Sequence, residues 1–138
     1  MSLRRQNVRF LALASLLLGN EAAALSGNAQ IELVGQGRFE ALAAGLEQDA
    51  QRKALKTADL HALCYAYGKL KQYDKVLPCL DQLDRQIAAG DESARLFGLD
   101  DATPSSRLMR AEVLIDLGQY REAALQSQQT LDWLAAEH

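Results

Sequence analysis

The side chains able to break and make bonds are few: two cysteines, Cys64 and Cys79, and two histidines, His61 and His138. His61 and Cys64 stand three residues apart and would be neighbours on a helix. Cys64, however, belongs to an apolar stripe, where a thiol has little reason to ionise. No third residue is placed to orient the pair, and no glycine-rich phosphate loop follows a strand pattern, so the chain is read as a non-enzyme. Neither cysteine forms a CxxC motif, and two histidines leave a four-ligand metal site little to draw on, so no metal or other cofactor is expected. Both cysteines read as small buried hydrophobes. A disulfide between them would need helices that bring their Cα atoms within roughly 7 Å.

The elements that would carry these residues are helices. The chain has 138 residues, 49% of them apolar, with only two prolines, and is dominated by strong helix formers. One all-α domain is the economical reading. Net charge is −3, and residues 1–24 hold Arg4, Arg5 and Arg9, so the remainder is more acidic still. An acidic chain without a basic stripe is a poor binder of phosphate backbones, and no nucleic-acid partner is expected.

Three stretches repeat one pattern: Gly37-Arg38-Phe39-Glu40-Ala41-Leu42, Lys71-Gln72-Tyr73-Asp74-Lys75-Val76 and Gly118-Gln119-Tyr120-Arg121-Glu122-Ala123. Phe39 and Tyr73 are 34 residues apart. A period of this length, built from a helix, a turn ending in an aromatic and a second helix, marks an α-solenoid of stacked helix pairs. The units run over about 25–56, 57–90 and 104–137. Leu60, Leu63, Cys64, Tyr67 and Leu70 form the buried stripe of the second unit's first helix, and Val76, Leu80, Leu83 and Ile87 that of its second. With Asp74 as N-cap, Pro78 falls near the start of that helix. Thr103-Pro104 is a start signal for the third unit. Its stripes are Leu108, Ala111, Leu114, Ile115 and Leu117, then Ala123, Ala124, Ser127, Thr130, Leu131 and Leu134. Tyr73 and Tyr120 are expected as buried aromatics at the turns. Tyr73 to Tyr120 is 47 residues, so 91–103 is an insertion; its Leu96, Phe97 and Leu99 suit docking on the body or a ligand surface.

Residues 1–24 have two readings. Arginines, nine mostly apolar residues from Phe10 to Leu18 and the small Ala22-Ala23-Ala24 follow the layout of a secretory signal peptide, which places the protein in the periplasm or outside the cell. Nine residues are too few to span a bilayer, so no integral membrane span is expected. Alternatively Val8, Ala12 and Ser15 belong to a helix of the fold, and the protein is cytoplasmic.

The second and third units resemble tetratricopeptide repeats, through Leu60, Leu63, Cys64, Tyr67, Leu70, Tyr73 and Leu80 in one and Ala111, Leu114, Leu117-Gly118, Tyr120, Ala123 and Leu131 in the other. The Phe39 unit resembles them loosely. Lys71 stands where a turn glycine is usual, Val76 where alanine is, and Arg110 where a large apolar residue is. The resemblance implies a right-handed solenoid of antiparallel helix pairs whose first helices line a concave groove for a peptide or partner protein. On it, the groove is lined by His61, Tyr65, Lys69, Leu108, Glu112, Ile115 and Asp116. One lysine, two acids and no asparagine do not suit a clamp for chaperone C-terminal carboxylates; Tyr65 between His61 and Lys69 suits an extended or helical peptide. The expected function is a scaffold or adaptor. Alternatives are the N-terminal repeat region of a larger effector or enzyme, and a small cytosolic chaperone. Without a polar capping helix after the third unit, that end is also a candidate homodimer surface.

Overall fold

The computed structural model describes residues 24–90 and 103–137. Residues 1–23, with the leader-like segment, and 91–102, with Leu96, Phe97 and Leu99, lie outside the described residues. Six helices and no strand occur among the described residues: α1 (Gly27–Gly35), α2 (Phe39–Arg52), α3 (Thr57–Lys69), α4 (Tyr73–Ala88), α5 (Thr103–Asp116) and α6 (Tyr120–Glu137). Each of α1 to α4 packs on the next helix in sequence, as α5 does on α6, and α3 also meets α5.

Short local signals start and stop these helices. The Ser26 hydroxyl caps α1 by accepting a hydrogen bond from the Ala29 N–H at 3.2 Å, satisfying one of the donors a helix start leaves open. The turns after α1, α3 and α5 are one motif used three times. Gly37, Lys71 and Gly118 take left-handed φ values of 67°, 58° and 74°. The N–H groups of Arg38, Gln72 and Gln119 then return to the carbonyls of Leu33, Tyr67 and Leu114 at 2.9, 3.0 and 2.8 Å. These bonds satisfy carbonyls that a helix end otherwise exposes. In α4 the cap position belongs to Gln72, not to Asp74, which sits in the first turn. Pro78 therefore lies in the second turn of α4, where it removes the bond to the Asp74 carbonyl.

The core gathers around α2, α3 and α4. Leu42, Leu46, Cys64, Val76, Leu80 and Leu83 have no exposed surface, and each large aliphatic among them contributes about 1.5–3 kcal/mol by leaving water. Val113 joins this core from α5, and Ala66 from the otherwise expected face of α3. At the near end of the chain the Leu25 N–H bonds to Asp49 Oδ2 at 2.9 Å, and its side chain packs on Gly45 of α2.

Three expectations need correction. Cys64 and Cys79 are not merely small hydrophobes: they form a disulfide that joins α3 to α4, with Cα atoms 5.5 Å apart. The packing of α3 on α4 decides this pairing. Closing a loop with a sequence separation of 15 removes freedom from the unfolded chain, worth about 3 kcal/mol. Second, the third unit buries only part of its apolar stripes. Ala111, Leu114, Ala123 and Thr130 are inside, whereas Leu108, Ile115, Leu117, Ala124, Leu131 and Leu134 are exposed, because no described element lies over that side. Third, Tyr120 is 68% exposed, while Tyr73 is half-buried and its hydroxyl donates to Asp116 Oδ2 at 2.9 Å. The two aromatics share a place in the repeat but not a neighbour.

Arg110 explains its own departure from an apolar consensus. Its guanidinium bonds to Asp81 Oδ1 at 2.8 Å and Asp84 Oδ2 at 2.9 Å, both on α4. The Ser106 hydroxyl also donates to Asp84. At this junction α4 and α5 are held by a polar network in place of an apolar contact, and such networks specify one docking geometry only when all members are satisfied.

Candidate binding groove

The first helices of the three units, α1, α3 and α5, are tied to one another by buried or half-buried polar bonds. Gln30 Nε2 of α1 donates to Asp59 Oδ1 of α3 at 2.8 Å, and also to the Leu25 carbonyl at 3.1 Å. His61 Nε2 of α3 lies 2.7 Å from Ser105 Oγ of α5. Burial of His61 holds its pKa below the ordinary histidine value, so at neutral pH the ring is uncharged and one of the two partners donates to the other.

Between α1 and α3, and reaching Ser105, lies a cavity of about 450 Å³. Ile31, Val34, Ala58, Ala62 and Tyr65 give it apolar walls, and Gln30, His61 and Ser105 supply its polar atoms. Ile31 is 58% exposed, with no described residue covering it. Tyr65 forms the boundary. Its ring meets Phe39 edge-on at 5.9 Å and 72°, and Lys69 Nζ lies 5.3 Å from the ring centroid, a contact worth about 0.5–1 kcal/mol at an exposed site. On the other side of Tyr65 is a smaller recess of about 60 Å³, lined by Lys69, Met109, Glu112, Val113 and Asp116 among others.

This recess is charged and internally balanced. Asp116 accepts from Lys71 Nζ at 2.6 Å and from the Tyr73 hydroxyl, and these two hydrogen bonds hold its carboxyl below the usual range. The ammonium of Lys71 is correspondingly raised by the same bond to Asp116. The pair is exposed and readily screened by salt.

Of the residues expected to line a groove, His61 and Tyr65 sit at the apolar cavity, and Tyr65, Lys69, Glu112 and Asp116 at the charged recess. Leu108 and Ile115 line neither; they are 55% and 50% exposed on α5. The sequence reading missed Ile31, Val34, Ala58 and Ala62, yet a signal existed. Ile31 stands 34 residues before Tyr65, the repeat period itself.

Comparison with protein-family models, with curated proteins and with solved structures returned no match. The functional reading therefore rests on the groove. Among the described residues no group of three or more potential ligands could hold a metal ion, and no helix is long and apolar enough to cross a membrane.

Two other recesses were not expected from the sequence. A polar cleft of about 640 Å³ lies among α4, α5 and α6, with Asp81, Asp84, Arg107, Arg110, Glu122 and Trp133 in its lining. Arg110 is already paired there with Asp81 and Asp84, and Arg107 donates to the Gln129 carbonyl at 3.1 Å. Near α2 and α4, the Tyr67 hydroxyl donates to Glu47 Oε1 at 2.6 Å and Lys75 lies over the Tyr67 ring. Burial pushes the Tyr67 phenol up, and its hydrogen bond pulls the Glu47 carboxyl down. The effect is a crosslink between α2, α3 and α4.

Proposed function

We propose that this chain is a tetratricopeptide-like scaffold or adaptor. In this reading it is a right-handed α-solenoid in which α1/α2, α3/α4 and α5/α6 stack as antiparallel pairs and α1, α3 and α5 line a concave side that holds a peptide or partner protein. The threefold recurrence of one turn motif, spaced by 34 residues and then by 47 across the insertion, supports the architecture. The observation that carries the function is the apolar cavity beside Tyr65: a recess with apolar walls and a few uncharged polar groups suits an aliphatic or aromatic anchor side chain. The neighbouring charged recess would set the orientation of the bound segment. A localisation outside the cytoplasm belongs to the same proposal, because the Cys64–Cys79 disulfide suits an oxidising compartment and residues 1–24 have the layout of a leader. The intact mass of protein recovered from separated periplasm and cytosol measures it.

The binding reading is tested on a peptide array. Wild-type protein selects peptides with a large apolar residue, and Tyr65→Ala, which retains the fold by circular dichroism, weakens their capture at least about tenfold, as loss of a central aromatic anchor does. Equal binding by Tyr65→Ala would make this an ordinary solvated helix face.

A further inference from the structure

We propose that the outward face of α5 and α6 pairs with the same face of a second copy of this chain. Leu108 and Ile115 on α5, at a step of seven residues, are 55% and 50% exposed, and Tyr120, Leu131 and Leu134 on α6 are 68%, 60% and 37% exposed. On both helices these side chains lie opposite the residues that meet α4: Ser106 and Arg110 on α5, which bond to it, and Glu122 and Trp133 on α6, which share a cleft with it.

The preceding helix pair shows how its corresponding face is used inside the molecule. There His61, Tyr73 and Asp84 are each engaged by α5, through Ser105, Asp116, and Ser106 with Arg110. Forty-seven residues on, the same places hold Leu108, Tyr120 and Leu131. His61 and Asp84, which bond to α5, thus give way to Leu108 and Leu131, while the tyrosine is kept and at Tyr120 stands 68% exposed. Such a face asks for apolar cover, not for another α5.

A second copy supplies that cover. The stripe Tyr120, Ala124, Ser127, Leu131, Leu134 carries no charge over its whole length, so it presents nothing that two-fold pairing would bring into repulsion. Glu112 interrupts the α5 stripe between Leu108 and Ile115, which places the two-fold axis nearer α6, where Leu131 and Leu134 can interdigitate with their own images. The five side chains are between 37% and 68% exposed, so pairing them builds a small interface, at or below the lower bound of about 1,200 Å² for stable ones. The apolar cavity between α1 and α3 includes none of the five side chains of this face, so Leu131→Glu tests dimerisation without altering the cavity walls.

The experiment is sedimentation equilibrium on the full chain over a range of roughly 1–100 µM, where a dimer with an interface of this size dissociates measurably. Wild-type protein is expected to approach twice its 15.1 kDa mass. Leu131→Glu is expected to remain monomeric, with the melting temperature that wild-type protein shows when dilute enough to be monomeric too. Leu125→Glu is the control: Leu125 is 49% exposed but lies off the stripe, and the variant should still dimerise. Wild-type protein that stays at 15.1 kDa would overturn the proposal, as would dimers equally weakened by both substitutions. A Leu131→Glu variant that melts below wild-type protein diluted to its monomeric state would show that the chain covers the face itself, and would also overturn it.

Discussion

His61 is the residue whose environment has a direct consequence in solution. Buried against Ser105, it binds its proton less readily in the folded protein than in the unfolded chain, where the value is 6.5. Below that pH the unfolded chain takes up the proton first, so acidification favours unfolding. The melting temperature should fall as the pH is lowered from 7 towards 5, before the carboxylates begin to titrate, and His61→Gln should flatten that slope. An identical pH profile for the variant would show that His61 does not govern stability there. Arg110 teaches a related lesson at the same scale. A charged residue at an expected apolar position looks like a defect in the repeat, but two aspartates on α4 await it. Its partners lie 26 and 29 residues away, and no local pattern announces them.

At the scale of elements, the turns carry the strongest message. A helix that ends in a left-handed residue returns its orphan carbonyls to two successive N–H groups, and glycine adopts that conformation without a Cβ penalty. Gly37 and Gly118 obey this; Lys71 adopts φ 58° in spite of its side chain, with its ammonium held by Asp116. An added Cβ at Gly118 meets nothing within 4 Å, so Gly118→Ala tests conformation alone and should cost about 1 kcal/mol by chemical denaturation. Lys71→Gly relieves the same strain but loses the bond to Asp116, and should move the midpoint far less. Equal effects at the two sites would mean the turns are not equivalent. Helix positions and turn chemistry were legible because they depend on residues within one or two turns. The leading helix α1, weakly marked by Gly27 and Gly35, still forms over Gly27–Gly35 because Ser26 caps it and Gln30 ties it to α3.

For the whole molecule, the Cys64–Cys79 bond joins two helices at the centre of the core, with Cys64 fully buried and Cys79 8% exposed. Protein from an oxidising compartment should therefore resist alkylation until it is unfolded and reduced, and should be shortened by the leader in its intact mass. Reduction, or Cys79→Ser, should lower stability by about 3 kcal/mol. Full-length protein with two free thiols, confined to the cytosol, would remove both the bond and the proposed export. The amino-acid sequence by itself determined the helices, their turns and the period that spaces them, because hydrophobic periodicity and backbone preference act over a few residues. It also placed Tyr65 and Lys69 on one helix face. Only the tertiary structure decided that Cys64 meets Cys79, that Arg110 meets Asp84, that Ile31 and Val34 complete the cavity beside Tyr65, and that Tyr73 finds Asp116 while Tyr120 faces outward. Those outcomes depend on which helix stands opposite which, and an apolar stripe specifies that a face is to be buried without specifying what buries it.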